Sequence, residues 1–289
     1  MLNRRQTLTT AAATAALMVP NHAGTNTALE AVDHLPAVAL DIYAPPEIYD
    51  RYLRDIFLDS AAAKELVGRH MQLFERSGRP EHGEAFISRF YVWWRTLHDS
   101  KQRIRAATAG RKFSKQFAAR FADHPAGYHW EAVFLGLEAL SRGILNSLQW
   151  VPRIMEAAEH STSVDASYFY GNAVTTIAKL YLKAPPFPMS IGNREKAIAA
   201  LERARPHQEG TFALWYLFYA EALLQQDREA AFAMLDRIET DVTPIDVTTA
   251  YVLDTTRADV RKLRQAIDAG TYDKYTWDPL LEPAQGYDA

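Results

Sequence analysis

The chain has 289 residues, with 32 Lys+Arg, 35 Asp+Glu, no cysteine and a formal charge of −3. Its 48% hydrophobic and 23% charged residues describe a soluble globular protein and exclude a disordered, collagen-like or multi-span membrane chain. Zero Cys excludes disulfides, a thiolate nucleophile, cysteine-bound metal and a lipid anchor on cysteine, and the pI near 6.3 argues against nucleic acid, which needs a basic surface to release counterions.

Arg4 and Arg5 are the only charges before Glu30. An Ala/Thr-rich run then continues to Pro20. It falls short of the ~20 apolar residues that span a bilayer, so it reads as a targeting segment. The pair resembles the twin-arginine export motif, with Thr7 where a larger apolar residue is usual. The expected address is periplasmic. Residues 1–28 are the expected export signal, and the mature protein is expected to have no transmembrane span. Ala23, Ala28 and Ala39 are candidate cleavage points.

From Pro46 onward the apolar spacing is helical. Ile48, Tyr52 and Ile56 step by four, as do Phe113, Phe117 and Phe121. Breakers are expected at Ser77–Pro80, Gly110, His124–Gly127, Gly143, Ser161–Ser163 and Ala184–Pro188. Ser60, Asp165 and Asn193 are expected to open helices. The pattern predicts about eleven or twelve helices joined by short loops, an all-α fold of antiparallel hairpins.

An internal repeat refines this. Arg194–Ala204 aligns with Arg228–Ile238, 34 residues further on, and six of the eleven pairs are identical. That is the period of a tetratricopeptide repeat and predicts a stacked superhelix. Ala197 and Ala231 are small where the second helix of each hairpin crosses the first. The helical-repeat domain is expected over 45–270, clearest at 166–207 and 211–240. Asp254–Ala269 is the expected capping helix, and 271–289 an irregular tail lying over the surface or disordered.

Tyr181-Leu-Lys-Ala-Pro-Pro, then Ser190-Ile-Gly-Asn193 and Lys196-Ala-Ile, resembles the T-component family of tripartite ATP-independent periplasmic (TRAP) transporters. So does Trp130 followed by Leu135-Gly-Leu-Glu-Ala-Leu-Ser-Arg-Gly143. The resemblance implies a periplasmic all-α repeat protein that docks a solute-binding protein and holds apolar ligands in a cleft or pore. It carries no catalytic residues over.

Asp123, His124, His129 and Glu131 could be metal ligands, but a Pro-Gly turn separates the histidines, and a polar turn is the better reading. Lys101–Arg120 holds seven basic residues and no acid. It reads as two helices with solvated basic faces, ahead of an acidic-partner or lipid-docking surface. Dense aromatics at Tyr91–Trp94, Tyr128–Trp130, Tyr168–Tyr170 and Trp215–Tyr219 cannot all meet one core stripe, since helix neighbours diverge by about 100°. A minority are therefore expected to wall an apolar cleft. The repeat register places Asn172, Thr175 and Lys179, with Ala213, Tyr216 and Ala220, on its concave side, and Tyr128 and Trp130 join them as groove candidates.

The leading expectation is a non-catalytic exported binding protein, a scaffold for a periplasmic partner such as a solute-binding protein. The alternative is a carrier that shields a lipid-like small molecule in an aromatic cleft. A metal-dependent enzyme is third. No catalytic residue, metal site, cofactor or nucleic-acid partner is expected.

Overall fold

A computed structural model describes residues 26–143 and 148–286. Among them are twelve α-helices and no strand. They are α1 (Asn26–Asp33), α2 (Arg54–Leu58), α3 (Ser60–Ser77), α4 (Pro80–Arg95), α5 (Ser100–Arg120) and α6 (Ala126–Arg142). Then follow α7 (Val151–Val164), α8 (Tyr168–Lys183), α9 (Arg194–Gln208), α10 (Ala213–Leu223), α11 (Arg228–Thr240) and α12 (Val247–Asp268). Each helix from α3 onward packs against its chain neighbour, and α4, α6, α8, α10 and α12 also touch in sequence. The fold is thus an all-α stack of hairpins with alternate helices forming an inner row.

The 34-residue repeat has a direct packing cause. Ala197, Leu201 and Ala204 of α9 and Ala231, Leu235 and Ile238 of α11 are all buried. The small residue lets the partner backbone approach, and the larger ones fill the groove one and two turns on. The Trp215 indole N–H donates to the Leu201 carbonyl at 2.8 Å, tying α10 to the preceding hairpin.

Helix starts follow side-chain chemistry. The Asp59 carboxylate, one residue before the expected Ser60, accepts from the Ala61 and Ala62 amides at 2.9 and 2.8 Å. Asn193 caps α9 through the Lys196 amide at 2.9 Å, and Asp165 accepts from the Ser167 amide at 2.8 Å just ahead of α8. Two expected breakers do not break. Ser161–Ser163 lies inside α7, where hydroxyls bond back to carbonyls of the same helix. Gly110 lies inside α5, so the basic run is one helix rather than two. There the glycine admits the Phe134 ring, and an added Cβ would meet it at 2.6 Å. The basic run is also partly tied down: Arg111 pairs with Glu138 at 2.9 Å, and Arg103 is buried.

Two further features differ from expectation. Helix α12 is not an exposed cap. Thirteen of its residues are buried, and Tyr251 packs edge-on against Phe57 at 5.4 Å. The N-terminal segment closes on it: the Tyr49 hydroxyl donates to Asp254 at 2.7 Å, and the Val247 amide to the Ala44 carbonyl at 2.9 Å. The irregular tail does not lie loose either. Arg95 donates to the Pro279 carbonyl at 3.0 Å, Arg103 donates to the Leu280 and Leu281 carbonyls, and the Ala284 amide donates to the Arg95 carbonyl at 2.7 Å. A strap of irregular backbone is thereby drawn across the inner row. Val32, Leu35 and Ala39, upstream of the expected domain start, are buried as well.

Helices α5 and α6 pack closely because Gly127 has no side chain. A Cβ there would lie 2.5 Å from the Ala118 amide nitrogen. Gly127→Ala should therefore destabilise the protein by about 1–3 kcal/mol, because the backbone contact has no side chain that can yield. Urea midpoints of the two proteins measure it.

Candidate functional site

The inner helices do not meet along their whole length. They leave between them a partly open chamber of about 210 Å³. Its walls are Val133, Gly136, Leu137 and Leu140 from α6, Leu180 from α8, Leu214 and Phe218 from α10, and Val252 from α12. Trp277 and Leu280 of the strap close it on one side. Mostly apolar walls with a few placed polar groups are the usual make-up of a small-molecule pocket.

The aromatic end is shaped by a strained turn. Phe169, Tyr170 and Gly171 have φ of 47°, 60° and 67°, so the first turn of α8 is left-handed. Non-glycine residues pay for such a backbone, roughly 1–3 kcal/mol each, and hold it only where the surroundings fix it. Here three consecutive aromatics are fixed in different directions. The Tyr168 hydroxyl donates to Glu84 at 2.8 Å, Tyr170 donates to Asp246, and the Phe169 ring turns inward to Trp130 at 5.1 Å and His129 at 5.1 Å. Tyr43 donates to the same Glu84 oxygen at 2.8 Å, and burial raises that carboxyl above its usual range despite the two hydroxyls.

The opposite end carries two lysines that are already neutralised. Lys179 pairs with Asp278 of the strap at 2.8 Å and lies 5.1 Å from the Phe218 ring centre. Burial acts to raise the Asp278 carboxyl, but Lys179 and Lys183 outweigh it and hold the group below its ordinary value. Lys183 pairs with Glu221 and donates to the Trp277 carbonyl at 2.8 Å. The Tyr272 hydroxyl also donates to Glu221 at 3.0 Å. A buried pair of this kind is weak as a source of stability but specific in what it positions, and here it positions the strap.

The groove candidates divide. Asn172, Thr175, Lys179 and Trp130 line the chamber. Ala213, Tyr216 and Ala220 do not reach it, because the chamber side of α10 is Leu214 and Phe218. Tyr216 is fully buried, accepts a bond from the Gly210 amide at 2.9 Å, and has Arg237 over its ring at 5.2 Å. Tyr128 stacks on His160 at 3.9 Å, away from the chamber. Arg4 and Arg5 lie outside the described residues. Arg89, Gly136, Tyr251, Trp277 and Asp278 line the chamber without having been expected. Arg89 had a readable signal: a lone arginine inside the apolar run Phe86–Trp94.

Among the described residues, no three His, Asp or Glu side chains gather as metal ligands, and no helix is long and apolar enough to cross a membrane. His124 lies against Phe117 and Tyr168, 3.8 Å from Glu84, whereas His129 packs among Trp130, Tyr168 and Phe169.

No family model matches this chain, and no curated protein is significantly similar to it.

His129 forms part of the chamber's outer support. Both ring nitrogens lack partners, and burial lowers its pKa to about 3. The folded state therefore keeps the ring neutral while the unfolded chain takes a proton below about pH 6.5, so stability falls as pH falls through that window. Between pH 7.5 and 5 the loss should be about 2 kcal/mol from this residue. His129→Phe should remove that share of the acid sensitivity, measured as a smaller drop in urea midpoint between the two pH values.

Proposed function

We propose that this protein is a non-catalytic carrier that encloses an apolar small molecule between its inner helices and its C-terminal strap. The observation that carries the reading is the closure of the concave side. A scaffold built to receive a protein there keeps an extended open surface, whereas here α12 and the strap occupy it and leave a chamber of about 210 Å³. The polar groups at the lysine end are paired with one another, so they serve the strap's position and leave the walls to apolar contact.

The paired arginines at the N-terminus support export to the periplasm by the twin-arginine route. The resemblance to TRAP T-components supports an accessory role in transport. A second reading, docking to a periplasmic solute-binding protein, is favoured by a different surface. The loop between α8 and α9 holds Phe187 at 88% and Met189 at 66% exposure. Large apolar side chains so exposed mark interaction sites. Phe187→Ser with Met189→Ser should then abolish co-purification of a solute-binding protein from a periplasmic extract while leaving chamber binding intact.

Gly136 supplies the test of the carrier reading. It lines the chamber, and an added Cβ there meets nothing within 4 Å. Gly136→Trp should place an indole in the space, since its Cβ meets no neighbour. Native mass spectrometry of protein purified from its own cells should show one apolar adduct per chain, and Gly136→Trp should lose it with an unchanged or higher Tm. An adduct retained by Gly136→Trp, or none on the unaltered protein, would contradict the carrier reading.

A further inference from the structure

Among the described residues three arginines lie buried near the inner row, and two are provided for. Arg95 pairs with Asp259 at 3.6 Å and donates to the Pro279 carbonyl. Arg103 holds two strap carbonyls and stacks over Trp94 at 4.2 Å. Arg89 is different. It is 1% exposed and lines the chamber. Its guanidinium rests over the Phe57 ring at 4.7 Å, and one N–H reaches the Asp41 carbonyl at a long 3.3 Å. Its Nε has no partner, and among the described residues no carboxylate forms an ion pair with it. Asp41 and Asp246 attract it only from a distance, and burial draws its pKa down to about 10.

A guanidinium has five N–H donors in a planar fork that matches a carboxylate. Burying that charge without an anion is unfavourable, and a carboxylate arriving from outside would relieve it. Two other atoms of chamber-wall residues also lack a partner of normal geometry. The Trp130 indole N–H, a donor only, faces the Tyr168 oxygen without closing a hydrogen bond of normal geometry. The Tyr251 oxygen faces the Arg95 guanidinium, which is a donor only, again without closing a bond of normal geometry. The unpartnered Arg89 fork calls for a ligand that brings acceptor oxygens. The lysine end offers no such vacancy, since Asp278 and Glu221 hold both cations.

Resting on the carrier reading, we propose that the chamber takes a medium-chain monocarboxylate, with its carboxylate at Arg89 and its alkyl chain between α6, α8 and α10. Size sets the chain length. A cavity of about 150 Å³ admits benzene, so about 210 Å³ admits a ligand of roughly eight carbons.

Calorimetric titration with sodium octanoate and with 1-octanol tests this on the full chain, as purified and as Arg89→Met. Methionine keeps the unbranched apolar stem and removes the charge. The unaltered protein should bind one octanoate per chain and octanol at least tenfold more weakly. Arg89→Met should bring octanoate down to the octanol affinity and leave octanol unchanged. Equal affinities for the two ligands in the unaltered protein would overturn the headgroup assignment and leave the carrier reading standing, as would undiminished octanoate binding by Arg89→Met. Binding of neither ligand by the unaltered protein would overturn the assignment and the carrier reading together. Should Arg89→Met not fold, the comparison of the two ligands on the unaltered protein decides alone.

Discussion

A curved stack of helix pairs has an inner face, and here that face is too apolar to be left to water. Tyr91, Trp130, Leu137, Leu180, Leu214 and Phe218 all look inward. Apolar area exposed on that scale is unfavourable at roughly 25 cal/mol per Å², so the chain must cover it. Helix α12 covers part, packed between α10 and the N-terminal segment at Tyr49 and Phe57. The strap covers the rest. Closure leaves a void between α6, α8 and α10 rather than a continuous core, and that void is the chamber.

The strap is held by an arrangement that has no helical or strand signature. Its backbone carbonyls accept from Arg95 and Arg103, and its Asp278 reaches inward to Lys179. Burial raises Asp259 to about 6, against the pull of Arg95. The charges therefore oppose desolvation instead of adding simply to stability. What they provide is a fixed position for Trp277, whose ring lies 5.3 Å from the Lys183 ammonium and forms one wall of the chamber.

Much of the fold was legible in the sequence because hairpin packing writes itself at fixed intervals. Ala197 and Ala231 mark close helix crossings, and Asn193 marks a helix start through its bond to the Lys196 amide. Asn172, Thr175 and Lys179, which the same register put on the concave side, line the chamber, as does the aromatic candidate Trp130. On α10 the register slipped, because that helix is buried nearly all round and its composition names no side. Gly110 and Ser161–Ser163 misled because local breaker chemistry is overridden where a neighbouring ring or a back-bonding hydroxyl compensates. The left-handed turn at 169–171 and the strap were not legible. Both depend on partners more than forty residues away, such as Glu84 for Tyr168 and Arg103 for Leu280.

The account stands on the chamber being a largely apolar space between the inner helices of the folded chain. Xenon reports such spaces directly, since it enters dry apolar cavities and leaves polar or packed regions empty. A crystal of the protein under xenon pressure should show a strong xenon site beside Gly136, Leu137 and Leu180. Xenon confined to the outer surface, with side chains filling the space between α6, α8 and α10, would contradict the account.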